Sequence, residues 1–248
     1  MAGLRAAKKE LRTLMRQRLS HVSPESLKQQ SAAATEILLS LPEYKKAQCI
    51  GVYLSMPKGE LVTTAIINDA LRQGKQIFVP YIYHSKVQDC SKSCSTMDMV
   101  SLCSKSDYEG LEPDAWGIPS VAKNSIAERS RILKESGKSS GAVSQDSAKS
   151  ETSSRSRSTE SRRLDLIVMP GVAFDKGLGR LGHGKGFYDF FLERYHDLKV
   201  SLLGEETRMP FLVGLALDVQ LSPDEIPTDA SDWRLDALVV GDGSVIRK

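Results

Sequence analysis

The sequence predicts an α/β fold: three layers, a mostly parallel sheet flanked by helices, in one domain (1–248) that carries a disordered Ser-rich insertion. Three observations point there. Two apolar runs, Cys49–Leu54 (CIGVYL) and Gln76–Ile82 (QIFVPYI), bracket a helical pattern over Leu61–Gln73, and strand, helix, strand within about 35 residues is a βαβ unit. A further apolar run at Leu164–Pro170 (LDLIVMP) leads through a glycine-punctuated loop into another helical pattern, which extends a sheet covered by helices. Between these halves, from Val121 to Arg163, the composition collapses into Ser, Lys, Arg, Glu and Gly, with too few apolar groups to offset the entropy of ordering.

The elements follow in order. Residues 2–20 read as a helix, with Leu4, Leu11, Leu14, Met15 and Leu19 near helical spacing and cations on the other side. Ser23-Pro24-Glu25 is a helix start: a Ser cap, Pro at the first helical position and an acid in the first turn. That helix is expected to run to about Leu41. Pro57-Lys58-Gly59 makes a turn after the first strand, and Gly74 stops the helix that follows. A polar stretch, His84–Ser95, precedes a short strand or hairpin at Met97–Leu102. After the Ser-rich segment come the strand Leu164–Pro170, the loop 172–183, a helix over Gly184–Tyr195, and strands at Phe211–Asp218 and Leu235–Val240. About five core strands are therefore expected.

Composition excludes several function classes. No apolar run approaches the roughly 20 residues that cross a bilayer. The N-terminus has no apolar secretory core; its basic character leaves a mitochondrial presequence as the weaker alternative to a cytoplasmic protein. Cys49, Cys90, Cys94 and Cys103 form no C-x-x-C pair, and with His84 they match no common zinc spacing, so reduced thiols are expected. The net charge is only +3, from 34 basic and 31 acidic residues. No nucleic-acid partner is expected at that balance. The cations at Arg5, Lys8, Lys9, Arg12, Arg16 and Arg18 are either the wet face of a helix or part of an anion site.

The chemistry concentrates in GVAFDKGLGRLGHGKGFYD, residues 171–189. Glycines at 177, 179, 182, 184 and 186 free the backbone for positive φ and close ligand approach. The loop follows a strand and opens a helix, whose N-terminus adds unpaired N–H donors and partial positive charge. With Arg180, Lys185 and His183 this makes an anion cradle suited to a polyphosphate. Two better-known motifs overlap it and fail. Gly186 stands where a Walker A loop needs Ser or Thr, and Gly177-x-Gly179-x-x-Gly182 lies too far past its strand for the dinucleotide fingerprint. A magnesium ion would then need carboxylates. Asp189, one helical turn past Lys185, and Asp232, in the acidic turn before the last strand, are candidates. Each has an ordinary alternative, Asp189 as an i, i+4 partner of Lys185 and Asp232 as a turn residue.

Several motifs together resemble one family. LDLIVMPGVAFDKGLGRLGHGKGFYD, the N-terminal KKELR, LSMPKGE, WGIP at Trp116–Pro119 and IPTDASDWRLD occur in the order seen in the 5-formyltetrahydrofolate cyclo-ligases (methenyltetrahydrofolate synthetases). The resemblance implies ATP and 5-formyltetrahydrofolate as partners, Mg2+ as cofactor, and 5,10-methenyltetrahydrofolate, ADP and phosphate as products, in a monomer with no nucleic-acid or membrane role. It implies ATP contacts from Lys8, Lys9, Glu10, Leu11 and Arg12 on the first helix, and from Arg180, Leu181, Gly182, His183, Gly184, Lys185, Gly186, Phe187 and Tyr188. Lys185 and Arg180 would be catalytic. Leu54 and Glu60 would contact the folate, joined by residues 183–187, and Asp189 and Asp232 would hold the metal. Trp116 either belongs to the folate pocket or is a buried structural residue. His183 and Phe187 depart from the Arg and Tyr of the family pattern. A neutral His at 183 would weaken phosphate attraction. The rival readings are another ATP-dependent ligase or kinase on this fold and a silent folate- or nucleotide-binding regulator.

Overall fold

The structure, a computed structural model, describes residues 2–85, 94–133, 163–204 and 208–248. The chain opens with helices α1 (Ala2–Ser20), α2 (Pro24–Ser40) and α3 (Pro42–Lys46), then strand β1 (Cys49–Val52), α4 (Thr64–Arg72), β2 (Gln76–Ser85) and β3 (Cys94–Leu102). A short helix α5 (Lys105–Glu109), a small hairpin of β4 (Glu112–Pro113) and β5 (Pro119–Ser120), and a 3-10 turn at Lys123–Glu128 follow. The second half holds β6 (Leu166–Met169), the hairpin β7 (Ala173–Phe174) and β8 (Arg180–Leu181), α6 (Phe187–Leu203), β9 (Phe211–Ala216), β10 (Ala237–Val240) and β11 (Val245–Arg247).

Seven strands, rather than about five, form the main sheet in the order β11-β10-β9-β6-β1-β2-β3. The four central pairings are parallel, while β3 and β11 close the edges antiparallel. The two beyond the core five are β3, expected as a short strand or hairpin, and β11, whose alternately exposed residues carry no sustained apolar run. Successive side chains of a strand point to opposite faces, and both faces here are buried. Leu166 and Val168 enter one core with α2 and α4, whereas Ile167 and Met169 enter a second core with α6. All four are completely buried, and each such side chain contributes roughly 1.5–3 kcal/mol relative to exposure. That two-sided burial is why LIVM is a continuous apolar run. The Ser23 side chain caps α2 by accepting from the Ser26 N–H at 3.1 Å, as its sequence position predicts.

Some boundaries differ from expectation. The α6 helix begins at Phe187 and not Gly184, because Gly184 and Gly186 have φ of 91° and 67°, outside helical backbone. The predicted disorder from Val121 is overturned as far as Leu133. The Arg129 guanidinium binds both oxygens of Asp107, and its Nη1 also donates to the Ser101 carbonyl. Asp98, completely buried, accepts from Arg131 Nε at 2.8 Å and from the Leu133 N–H at 3.1 Å. Ionic partners on β3 and α5 order a segment whose composition alone reads as solvated. Residues 134–162 of the predicted insertion lie outside the described residues.

Candidate functional site

The sheet has one point at which chain order reverses direction. From β1 the chain moves to β2 and β3 on one side, and from β6 to β9, β10 and β11 on the other. Ligands of open α/β sheets bind outside the carboxyl ends of the strands at such a point. The segment after β1 carries Leu54, Met56 and Glu60; the segment after β6 is the glycine-rich loop.

Buried carboxylates shape the loop. Asp175 accepts from the Gly179 N–H at 2.8 Å and from the Ile226 N–H at 2.6 Å, clamping the β7–β8 turn. A Cβ at Gly179 would lie 2.5 Å from Asp175 Oδ2, so this glycine exists for close approach. Helix α1 docks on the same loop. Leu11 and Met15 pack with Val172, Ala173, Leu181 and Ile226, which places the Leu11 and Leu181 side chains in a small core. One turn of α1 presents Lys8 and Arg12 on one side. Arg12 Nε donates to the Gly182 carbonyl at 2.8 Å, with its guanidinium 3.2 Å from where a Gly184 Cβ would be. Lys9 and Glu10 are exposed, and helical rotation carries them off that side.

Both metal candidates are paired with cations. Lys8 Nζ lies 2.6 Å from Asp232 and 3.3 Å from Asp229. Arg180 is buried; its Nη2 donates to both Asp189 oxygens at 2.8 and 2.9 Å, and its Nη1 to the Pro170 carbonyl at 3.3 Å. The Trp233 N–H, next to Asp232, reaches Asp189 Oδ1 at 3.3 Å, so the two carboxylates belong to one cluster. Among the described residues no group of three or more His, Cys, Asp or Glu converges as a cage. Two hard carboxylates beside an anion cradle nevertheless fit magnesium, which takes one or two carboxylates and fills its shell with water and phosphate oxygens.

Lys185 is exposed, and its ammonium has no hydrogen bond or ion pair among the described residues. It is free to meet an incoming anion. His183 is held below its ordinary pKa by desolvation and by Arg16, Arg12 and Arg180. Partial desolvation first, and the surrounding cations second, disfavour a charged imidazole at this position.

On the β1 side, Glu60 is 5% exposed and accepts one hydrogen bond, from the Met56 N–H at 3.1 Å. Burial without a cation pushes its carboxyl up to about 7. Leu54 is also buried. Tyr53 lies beneath, its hydroxyl donating to the Leu61 carbonyl at 2.8 Å. Between the two segments stands Tyr188, whose ring lies 5.8 Å from the Arg180 guanidinium carbon. Its hydroxyl, like Arg180 Nε, is buried with no hydrogen-bond partner among the described residues. Trp116 is 77% exposed at the tip of the β4–β5 hairpin, so it is not a buried structural residue. Gly117 beside it approaches Pro57 of the turn that leads to Glu60.

Thus Lys8, Arg12, Arg180, Asp189 and Asp232 form one connected cluster, with His183 and Lys185 on the same loop. Leu54 and Glu60 lie across Tyr188 from it. Asp175 and Asp229 escaped the sequence reading. The close spacing of Asp229 and Asp232 was a usable signal, whereas Asp175 looks like any turn acid until its partners at 179 and 226 are seen.

Comparison with known proteins finds relatives along nearly the whole chain. The model of the 5-formyltetrahydrofolate cyclo-ligase family matches residues 4–241. A probable 5-formyltetrahydrofolate cyclo-ligase of Schizosaccharomyces pombe is 31% identical, over 94% of each chain. The mouse 5-formyltetrahydrofolate cyclo-ligase is 30% identical, over 96% of this chain and 95% of its own. The NMR structure of Aquifex aeolicus 5,10-methenyltetrahydrofolate synthetase superimposes with a TM-score of 0.62 at 25% identity, covering 97% of this chain and 92% of that one. A family match over nearly the whole length, with relatives matched end to end, leads to one conclusion: this chain belongs to the 5-formyltetrahydrofolate cyclo-ligase family.

Proposed function

We propose that the protein uses ATP to cyclise 5-formyltetrahydrofolate to 5,10-methenyltetrahydrofolate, releasing ADP and phosphate. The observation that carries this is the switch point itself, where a cationic glycine loop faces a buried, cation-free carboxylate across a single tyrosine. A formamide carbonyl is a poor electrophile and the folate N10 a weak nucleophile. In the proposed sequence the formyl oxygen attacks the γ-phosphorus and ADP leaves. N10 then attacks the formyl carbon, loses its proton, and the carbon–oxygen bond breaks with departure of phosphate.

Such chemistry needs positioning and charge stabilisation more than covalent participation. Lys185 and the loop amides would neutralise the phosphoryl group, with Arg12 and Lys8 steadying the polyphosphate from α1. Arg180, already engaged by Asp189, orients the loop beneath. Asp189 and Asp232 would hold a magnesium ion, which would supply charge neutralisation at the phosphates. Glu60, once ionised, can accept from the N–H donors of a pterin, which restores the partner its burial denies it. A monomer in the cytoplasm is the expected setting; among the described residues no helix is long and apolar enough to cross a membrane.

The test is direct. Purified protein mixed with 5-formyltetrahydrofolate should show the near-ultraviolet absorbance of the methenyl product only when ATP and magnesium are both present. No absorbance change at generous enzyme concentration rejects the proposal.

A further inference from the structure

Tyr188 occupies a place that packing alone does not explain. It sits in the first turn of α6, two residues after the left-handed Gly186. Its side chain touches both cores, one on each face of the sheet, so it lies across the end of the sheet where β1 and β6 adjoin. Its ring lies beside the Arg180 guanidinium. Its hydroxyl is sealed from solvent and bonded to nothing among the described residues, and Arg180 Nε shares that condition. Glu60, the carboxylate on the far side, takes a single N–H. Buried polar groups in folded proteins are almost always paired. Two orphans and one under-used carboxylate around one aromatic ring therefore describe a place kept for a polar ligand group.

We propose that the Tyr188 hydroxyl is a further catalytic group, donating a hydrogen bond to the phosphoryl group as it passes from ATP to the formyl oxygen. This rests on the function proposed above. Arg180 and the glycine loop mark the phosphate side and Glu60 the pterin side; the tyrosine stands between, where the transferring group must cross. A phenol, with an ordinary pKa of about 10, is a protonated donor at neutral pH, and it keeps its proton throughout. The bond that forms is formyl oxygen to phosphorus, the bond that breaks is phosphorus to the ADP oxygen, and the donor offsets charge on the oxygens in flight.

Tyr188→Phe removes one oxygen and keeps the ring. Measured with the absorbance assay, kcat should fall by about a hundredfold or more, the range seen when one preorganised donor is lost. KM for both substrates should stay within about threefold, which separates a transition-state contact from ground-state binding. Tm should hold or rise, since an unpaired hydroxyl leaves the interior. Turnover within threefold of wild type would overturn the assignment. So would a loss carried wholly by KM, or a lowered Tm or failure to fold, which would give the hydroxyl a binding or structural role. Inactive wild-type protein on 5-formyltetrahydrofolate would overturn the function and this assignment together. An active wild type with an unaffected Tyr188→Phe would overturn only the latter.

Discussion

Glu60 offers the sharpest test of how the ligand-free site is built. Its carboxyl is buried without a cation and titrates at about 7, against an ordinary 4.5, with desolvation as the main cause and the Met56 N–H opposing it. At about 1.4 kcal/mol per pH unit, that difference corresponds to roughly 3 kcal/mol. The sign is fixed by linkage. Below pH 4.5 the group is neutral in both states and no penalty exists. Between 4.5 and 7 the unfolded chain ionises while the folded protein holds its proton, so stability falls as pH rises. Above 7 both states are ionised and the penalty is complete. Glu60→Gln keeps an acceptor for the Met56 N–H and removes the titration. The variant and wild type should therefore melt alike near pH 4.5. At pH 8 the variant should be more stable by roughly 3 kcal/mol, a Tm gain on the order of 5–10 °C for a chain of this size. Melting followed by circular dichroism from pH 4.5 to 8.5, without ligand, reads this directly. Parallel curves for the two proteins across that range would refute the buried-carboxylate account. The gain in stability should come with lost folate affinity, because the amide cannot offer a pterin two charged acceptor oxygens.

Three further outcomes follow from the same geometry. Lys185→Ala should reduce turnover by a hundredfold or so with unchanged circular dichroism, since the exposed cation proposed to meet the moving phosphate is lost without touching the core; activity within about threefold of wild type would remove Lys185 from the mechanism. Asp189→Asn should raise the magnesium requirement and also lower stability by about 3 kcal/mol, because it strips the buried Arg180 guanidinium of its bidentate partner; a normal Tm with a normal magnesium titration would contradict both roles. Deleting residues 134–162 should leave turnover largely intact, whereas a deletion reaching back to Arg129 should destabilise the fold by breaking the Asp107 and Asp98 pairings; equal melting of the two deletions would show those pairings to be dispensable.

Much of the fold could be read from residue order. The βαβ pattern, the caps of α2 and the buried LIVM strand are written in local chemistry: apolar periodicity, a Ser before a Pro, and β-branched runs. The edge strand β11 was missed because one exposed face and three residues leave no pattern to find. The ordered stretch to Leu133 was missed because its stabilisation is ionic and depends on Asp98 and Asp107, which sit in other elements. The start of α6 was misplaced because positive φ at two glycines depends on what the loop surrounds.

The sequence by itself determined the fold class and the family, since the first depends on apolar periodicity and the second on motifs kept in order along the chain, and it marked the glycine-rich loop and its neighbours as site candidates. Only the tertiary structure decided which of them meet: that Lys8 reaches Asp232 across 224 positions, that Arg180 is spent on Asp189, and that the Tyr188 hydroxyl has no partner among the described residues. The physical reason is that pairing and burial belong to distances between distant segments. Desolvation of one carboxylate at position 60, or neutralisation of another at 189, depends on what the fold brings beside it.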